Sequence, residues 1–379
     1  MLEASEIELF RDTLRRFLAN EIAPHYATWE QDRLFPREVW NRLGENGFLC
    51  VDVPEEYGGF GGDFQLSAVV VEEVARMGFG GLATNISVHS DIVAPYILHL
   101  GTEEQKRAWL PRMVSGEAVG AIGMTEPGAG SDLQAMKTRA DAHADAFVIN
   151  GQKTFITNGF HADVLILATK TDPKAGAKGM TLFTVDTSLP GFDRGRKLEK
   201  IGQHGSDTAE LFFQDLRVAS DQILGGEGRG FANLMTELPR ERLILAIGAV
   251  AACRGMLERT IDYVQERKAF GQAIGAMQNT RFALADLHSQ IAVNQAFIRQ
   301  CTEEYNRGEL TTTNASIAKL TTTDLQFRVA DQCLQFFGGY GYMQEYPIAR
   351  DFVDARVQRI YGGSNEIMKE IIARSILGR

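Results

Sequence analysis

The sequence predicts a mainly α-helical protein with a central β-domain, in the order helices, β-domain, helical bundle. Three observations predict it. Apolar residues recur at helical spacing from the start to about Gly116. Short β-branched and aromatic segments, divided by turn residues, fill roughly 119–230. The helical period returns after Phe231 and holds to the end.

In the first region Ile7, Leu14, Phe17 and Leu18 fall at helical spacing, with glycine and proline between segments. Thr102 followed by Gln105, ahead of KRAWL, is a capping-box start, in which each side chain satisfies the other residue's backbone N–H. The middle region reads as strands AFVING, KTFITNG, DVLILAT, MTLFTVD and AELFFQDLRV, with VINGQKTFIT as a hairpin about its Asn-Gly pair. The last region divides into long helical segments near 240–268, 278–307, 312–337 and 345–376, whose short connections suggest an antiparallel four-helix bundle. The expected domains are 1–118, 119–230 and 231–379.

A chain of 379 residues, 44% hydrophobic and 23% charged, has apolar material for two or three domains. Its net charge of −10 argues against nucleic acid as a partner, because affinity for phosphate backbones rests on clustered Lys and Arg. Cys50, Cys253, Cys301 and Cys333 are widely spaced and form no CxxC or Cys/His pattern. They read as reduced, mostly buried thiols, and no metal is expected. The start, MLEASEIELFRDTLRRF, lacks the basic and apolar runs of a signal peptide, and the longest apolar run, Leu243 to Cys253, is too short to span a bilayer. A cytoplasmic protein without a membrane span is the expectation.

Several stretches could carry chemistry. In GMTEPGAGSDLQA, Gly128, Ala129 and Gly130 let backbone N–H groups converge on an anionic or carbonyl-rich ligand, beside the hydroxyls of Thr125 and Ser131. Neither a P-loop lysine nor a GxGxxG after a strand is present, which disfavours the common nucleotide folds. ERKAFGQAIGAMQ sets Arg267 and Lys268 near a helix end, where such charges are usually solvated. In ELPRERL, Pro239 starts or kinks a helix and Glu241 stands between Arg240 and Arg242, ordinarily a surface ion pair unless it faces a cleft. The glycines of QFFGGYGYMQ and of IYGGSNEIMKE make two corners suited to close approach of backbone to a flat ligand.

Taken together these stretches resemble the acyl-CoA dehydrogenases along nearly the whole chain. GMTEPGAGSDLQA and QFFGGYGYMQEYPIARDFVD fit the family's two signature stretches, and KTFITNG, SDTAELFF and RKAFGQ follow in the family's order. The resemblance implies an FAD enzyme, usually a homotetramer whose cofactor lies partly across a subunit interface, acting on acyl-CoA with electron-transfer flavoprotein as acceptor. It assigns flavin contacts to Ile122, Met124, Thr125 and Ser131, and to Phe155, Ile156 and Thr157 along the ring system. Ser131 is also assigned to the acyl-CoA. Arg267, Phe270 and Gln278, with the backbone of Gln335, Phe336, Phe337, Gly338 and Gly339, reach the neighbouring subunit's FAD. Ser364, Asn365 and Glu366 close the site.

The chain departs from the family at Gly362. Most members carry there the glutamate that removes the substrate's α-proton; a minority, the long-chain and isovaleryl branches, place the base on another helix, at the position of Glu241 in this chain. VHSDIVAPYI, ELPRERL, YMQEYPIARDFVDARVQ and IYGGSNEIMKE are most similar to the long-chain branch. Glu241 is therefore the expected base, with Arg242 orienting it or lining the site, and Gly362 and Gly363 supply backbone donors to the thioester carbonyl. Small or polar residues such as Ser87 and Ser90 suggest a deep acyl pocket for medium to long chains. The alternatives are a dehydrogenase of short branched acyl-CoA, an oxidase, and a non-catalytic or nucleic-acid-associated flavoprotein.

Overall fold

A computed structural model of the chain describes residues 4–378. Seven helices come first: α1 Ala4–Phe17, α2 Ala23–Asp32, α3 Glu38–Glu45, α4 Phe64–Arg76, α5 Gly80–Ile86, α6 Ala94–Leu100 and α7 Glu103–Val114. Helices α1 and α2 are joined through a π-helical turn, Leu18–Ile22, and α5 and α6 through another, Ser87–Val93. The capping box of α7 forms as expected, with Thr102 N–H donating to Gln105 Oε1 at 3.0 Å and Gln105 N–H to Thr102 Oγ1 at 3.3 Å.

Eight strands then build one sheet: β1 Gly120–Gly123, β2 Arg139–His143, β3 Ala146–Thr157, β4 Val164–Lys170, β5 Met180–Asp186, β6 Phe192–Lys197, β7 Thr208–Ala219 and β8 Ile223–Leu224. Their order is β6-β7-β3-β2-β4-β5-β8, with β1 parallel beside β4. Ile149, Leu165, Leu167, Phe183, Leu211 and Leu216 are fully buried at its centre. The expected hairpin in VINGQKTFIT is corrected here. Asn150 and Gly151 lie inside β3, where the register against β7 slips between Ile149 and Gly151. Asn150 and Asp215 exchange hydrogen bonds of 3.1 and 2.9 Å across this bulge, and a Cβ at Gly151 would stand 2.5 Å from Thr138 Oγ1. Glycine is thus needed for a close approach between strands, the other common use of an Asn-Gly pair in a sheet. The chain turns instead at Ala144 and Asp145, Ala144 taking φ +55°.

The last region holds α8 Gly230–Glu266, a short hairpin of β9 Lys268–Ala269 and β10 Gln272–Ala273, α9 Gln278–Asn306, α10 Thr312–Phe337, α11 Pro347–Val357 and α12 Asn365–Leu377. Helix α8 is 37 residues long and passes through Pro239, starting ten residues before the expected 240. Proline removes one backbone donor there, but Leu234, Glu237 and Arg240 to Ile244 are all buried, and that packing outweighs the lost bond. The segment expected at 345–376 is two helices, broken where Gly362 and Gly363 take φ of +63° and +87°. Helix α10 packs against α8, α9, α11 and α12.

The loop before β7 ties the three regions together. The N–H groups of His204 and Gly205 donate to Glu30 of α2, at 3.2 and 3.0 Å, and that of Gln203 donates to Asp354 of α11. All four cysteines are free and buried. Among the described residues no helix is long and apolar enough to cross a membrane.

Candidate functional site

Residues 240–242 of α8 are consecutive yet all buried, at 4, 6 and 4% exposure, so each must find its own polar partner. Arg240 turns away from Glu241. Its Nη2 lies 2.6 Å from Asp52 Oδ2 and 3.5 Å from Asp91 Oδ1, its Nε donates to the Asp91 carbonyl at 2.9 Å, and its guanidinium rests on Phe64 and Tyr305. Arg242 points toward α10, with Nη1 3.4 Å from Ser316 Oγ and Nε without a partner. The surface ion pair that such a triplet ordinarily makes is absent. Glu241 instead accepts a hydrogen bond from the Tyr96 hydroxyl at 2.9 Å through Oε1, and Oε2 accepts none from the described residues.

Burial pushes the Glu241 carboxyl up to about 7; the Tyr96 hydroxyl and Arg242 oppose that, while Glu237, one turn earlier, reinforces it. Glu237 is paired with His99 Nδ1 at 3.0 Å. A carboxylate of this kind, dry, half ionised near neutrality and with one free oxygen, suits general-base chemistry.

The glycine loop packs against the same part of α8. A Cβ at Gly362 would come 2.9 Å from Leu245 Cδ1, on the turn of α8 after Glu241, and one at Gly363 would lie 3.9 Å from Arg242 Nη2. Neither the Gly362 nor the Gly363 N–H finds an acceptor among the described residues. The Glu241 carboxyl and these free backbone donors thus border the same stretch of α8.

A second group lies in the β-domain. Thr154 N–H donates to the Thr125 carbonyl at 2.9 Å, and the buried Lys153 holds the Met124 carbonyl at 3.0 Å and Glu126 Oε1 at 2.8 Å. These bonds bring Met124 and Thr125 beside Phe155, Ile156 and Thr157 at the end of β3. Ile122 is half-buried and paired with Ile166, while Ser131 is exposed. Phe155 is 68% exposed with φ +59°, an apolar ring held outward by an unfavourable backbone. A third group surrounds a cavity of about 420 Å³ that includes Arg267, Phe336, Phe337, Gly338 and Gly339. Arg267 has no carboxylate partner among the described residues and lies over the Tyr340 ring at 5.6 Å. Phe270, at the β9–β10 tip, is 97% exposed, and Gln278 opens α9; neither lines that cavity.

Three family models match the chain: acyl-CoA dehydrogenase N-terminal domain over residues 4–117, middle domain over 121–216 and C-terminal domain over 228–377. The chain belongs to the acyl-CoA dehydrogenase family. It is 46% identical over 376 residues to the mitochondrial long-chain specific acyl-CoA dehydrogenase of Mus musculus, covering 99% of this chain and 87% of that protein. Identity to the mitochondrial isovaleryl-CoA dehydrogenase of Solanum tuberosum is 36%, over 97% of this chain and 89% of that one. The crystal structure of an acyl-CoA dehydrogenase from Geobacillus kaustophilus superposes with a TM-score of 0.96 at 48% identity, covering 99% and 98% of the two chains.

Membership in the acyl-CoA dehydrogenase family makes the protein an FAD-dependent oxidoreductase acting on acyl-CoA. The residues present fit that cofactor. An outward aromatic ring two residues before Thr157 on β3 suits a planar ring system, and an unpaired guanidinium beside Gly338 and Gly339, where a Cβ would meet nothing within 4 Å, suits a pyrophosphate. Ser364 caps α12, accepting from Ile367 N–H at 3.4 Å, and Asn365 turns its side chain into the bundle. Glu366 is exposed on the first turn of that helix.

Sequence reasoning missed Tyr96 and Lys319. Tyr96 lies within VHSDIVAPYI, where a hydroxyl on an apolar helix face was the signal. Lys319 lies in TTTNASIAKLTTT, fully buried among Ala315, Ala318 and Thr322, and an unpaired lysine on an apolar face was the clue. Ser90, expected to border the acyl pocket, is buried and accepts a hydrogen bond from Cys50 N–H at 3.0 Å.

Proposed function

We propose that the protein oxidises medium- to long-chain acyl-CoA thioesters to trans-2-enoyl-CoA, with Glu241 as the base that takes the α-proton. The observation that carries this reading is a buried, singly hydrogen-bonded Glu241 one turn from the residue against which Gly362 packs. The Gly362 N–H donates to the thioester carbonyl and lowers the cost of enolate character as Glu241 Oε2 takes the proton. Arg242 lines the same stretch of α8 and helps keep Glu241 ionised. When bound, FAD would supply the hydride acceptor for the β-hydrogen. Met124, Thr125, Ser131 and Phe155 to Thr157 hold it from one chain; Arg267, Phe270, Gln278 and the backbone of Gln335 to Gly339 reach toward that of a neighbouring subunit.

Identity of 46% with a long-chain relative, against 36% with an isovaleryl one, favours straight medium and long chains. A homotetramer with a shared cofactor site is the proposed assembly; an outward Phe270 and an exposed Tyr342, 83% accessible, fit burial against another subunit. Electron-transfer flavoprotein is the proposed acceptor, in fatty acid β-oxidation, and the three units span 1–118, 119–230 and 231–379.

Anaerobic mixing of purified holoenzyme with butanoyl-, octanoyl-, palmitoyl- and isovaleryl-CoA tests the proposal. Octanoyl-CoA bleaches the flavin, and kcat/KM rises from butanoyl to octanoyl, each buried methylene adding about 0.8 kcal/mol. Glu241→Gln retains FAD and binds acyl-CoA yet bleaches roughly 10²- to 10⁴-fold more slowly. Bleaching by Glu241→Gln at the wild-type rate refutes the base, and a maximum at butanoyl- or isovaleryl-CoA refutes the chain length.

A further inference from the structure

A loop of two glycines has little to hold it. Gly362 and Gly363 both occupy the left-handed region, contribute no side chain, and leave their N–H groups without an internal acceptor. Backbone donors on such a segment lose precision unless something outside it fixes their direction.

Helix α10 supplies that fixture. The Lys319 side chain is fully buried, and its Nζ donates to the Gly363 carbonyl and to Asn365 Oδ1, both at 2.8 Å. Asn365 in turn donates to Thr323 Oγ1 at 3.1 Å and to Asp324 Oδ1 at 2.9 Å. Arg359, at the other end of the loop, reaches the same Asp324 oxygen at 2.7 Å, and Asn365 N–H donates to the Arg359 carbonyl at 3.1 Å. Residues 319, 323 and 324 of one helix thereby hold both ends and the middle of the loop. Lys319 makes no ion pair of its own within 4 Å among the described residues, and burial lowers its ammonium to about 8. A buried ammonium bound only to neutral carbonyls is costly for the fold.

We propose that Lys319 is a positioning residue: through the Gly363 carbonyl it fixes the loop so that the Gly362 N–H is aimed at the thioester carbonyl. The inference rests on the function proposed above. It assigns Lys319 no proton transfer and no contact with substrate.

The test compares wild type with Lys319→Met, which keeps the length and loses the donors. Isotope-edited infrared spectroscopy of bound 2-octenoyl-CoA, the product, reads carbonyl polarisation without turnover. In wild type the carbonyl stretch lies below its value in water. In Lys319→Met it moves back toward that value, while kcat with octanoyl-CoA falls roughly 10-fold and KM changes by less than about threefold. A folded, FAD-loaded Lys319→Met with the wild-type stretch overturns the inference and leaves the Glu241 reading intact. A wild-type stretch that is not lowered overturns the Gly362 donor itself, and Lys319 with it. If Lys319→Met does not fold, Lys319→Gln, which retains a shorter donor, is expected to give an intermediate stretch, and a wild-type stretch there overturns the inference.

Discussion

At the scale of the residue, Glu241 illustrates what a sequence can and cannot say about a proposed catalytic base. Its candidacy was legible, because Gly362 empties the usual position of the base and Glu241 stands where the minority branches place theirs. Its surroundings were not: flanking arginines suggest a surface pair, and only the fold turns Arg240 to Asp52 and leaves Glu241 to Tyr96. Tyr96 is 145 residues away in sequence, so no local pattern links the two. The pairing has a pH consequence. With the Glu241 carboxyl at about 7 and acting as the proposed base, kcat/KM for octanoyl-CoA should rise as pH passes through neutrality. The Tyr96 hydroxyl donates to the ionised form, so its removal raises the carboxyl further. Tyr96→Phe should move the acid limb upward by about one pH unit, a hydrogen bond to a charged group contributing about 1.5 kcal/mol or more. At pH 9 the variant should approach the wild-type rate. An unmoved limb in a stopped-flow pH series would remove Tyr96 from the base's environment.

Elements were legible where burial follows one period and illegible where a residue does an unusual job. The strands DVLILAT and MTLFTVD became β4 and β5 because each is a continuous buried run. The Asn-Gly pair in β3 carries a hairpin signature, yet a bulge facing Asp215 uses the same residues. Pro239 signals a helix start, yet packing on both sides carries α8 through it. Two elements have direct tests. Arg267, which caps the end of α8 just before the β9–β10 hairpin, has no carboxylate to neutralise it among the described residues, so Arg267→Ala should weaken FAD retention on the order of 10- to 100-fold while the fold persists; the flavin-to-protein absorbance ratio after gel filtration measures this. In the glycine loop, Gly362→Glu placed in Glu241→Gln restores a carboxylate near substrate. The backbone at φ +63° resists a side chain and Leu245 must shift, so recovery of flavin reduction should be partial and best with short chains. A double variant as inactive as Glu241→Gln would mean that the two positions are not interchangeable in this chain.

For the whole molecule, the order of helices, sheet and bundle was plain from periodicity, but the joint that unites them was not, since Glu30, Gln203 to Gly205 and Asp354 share no motif. Burial, reinforced by Glu30, pushes Asp354 up to about 8, and its Oδ2 has no partner. The folded chain therefore keeps a proton that an unfolded carboxyl releases near its ordinary value of 3.8. Stability from this group is present in full below that value and is lost as pH rises toward 8. Asp354→Asn keeps an acceptor for Gln203 and should flatten the fall of the melting temperature between pH 5 and 8; equal slopes would place the proton elsewhere. The same joint bears on how the chain is made. Gly205 meets a partner, Glu30, that left the ribosome 175 residues earlier, whereas Gln203 must wait for Asp354, 151 residues later. At about 5 to 20 residues per second that wait is roughly 8 to 30 seconds. During it, the sheet can dock on the first helices but the N–H of Gln203 stays open to water, so a nascent chain stalled before α11 presents a seam on which chaperones or a neighbouring nascent chain can act.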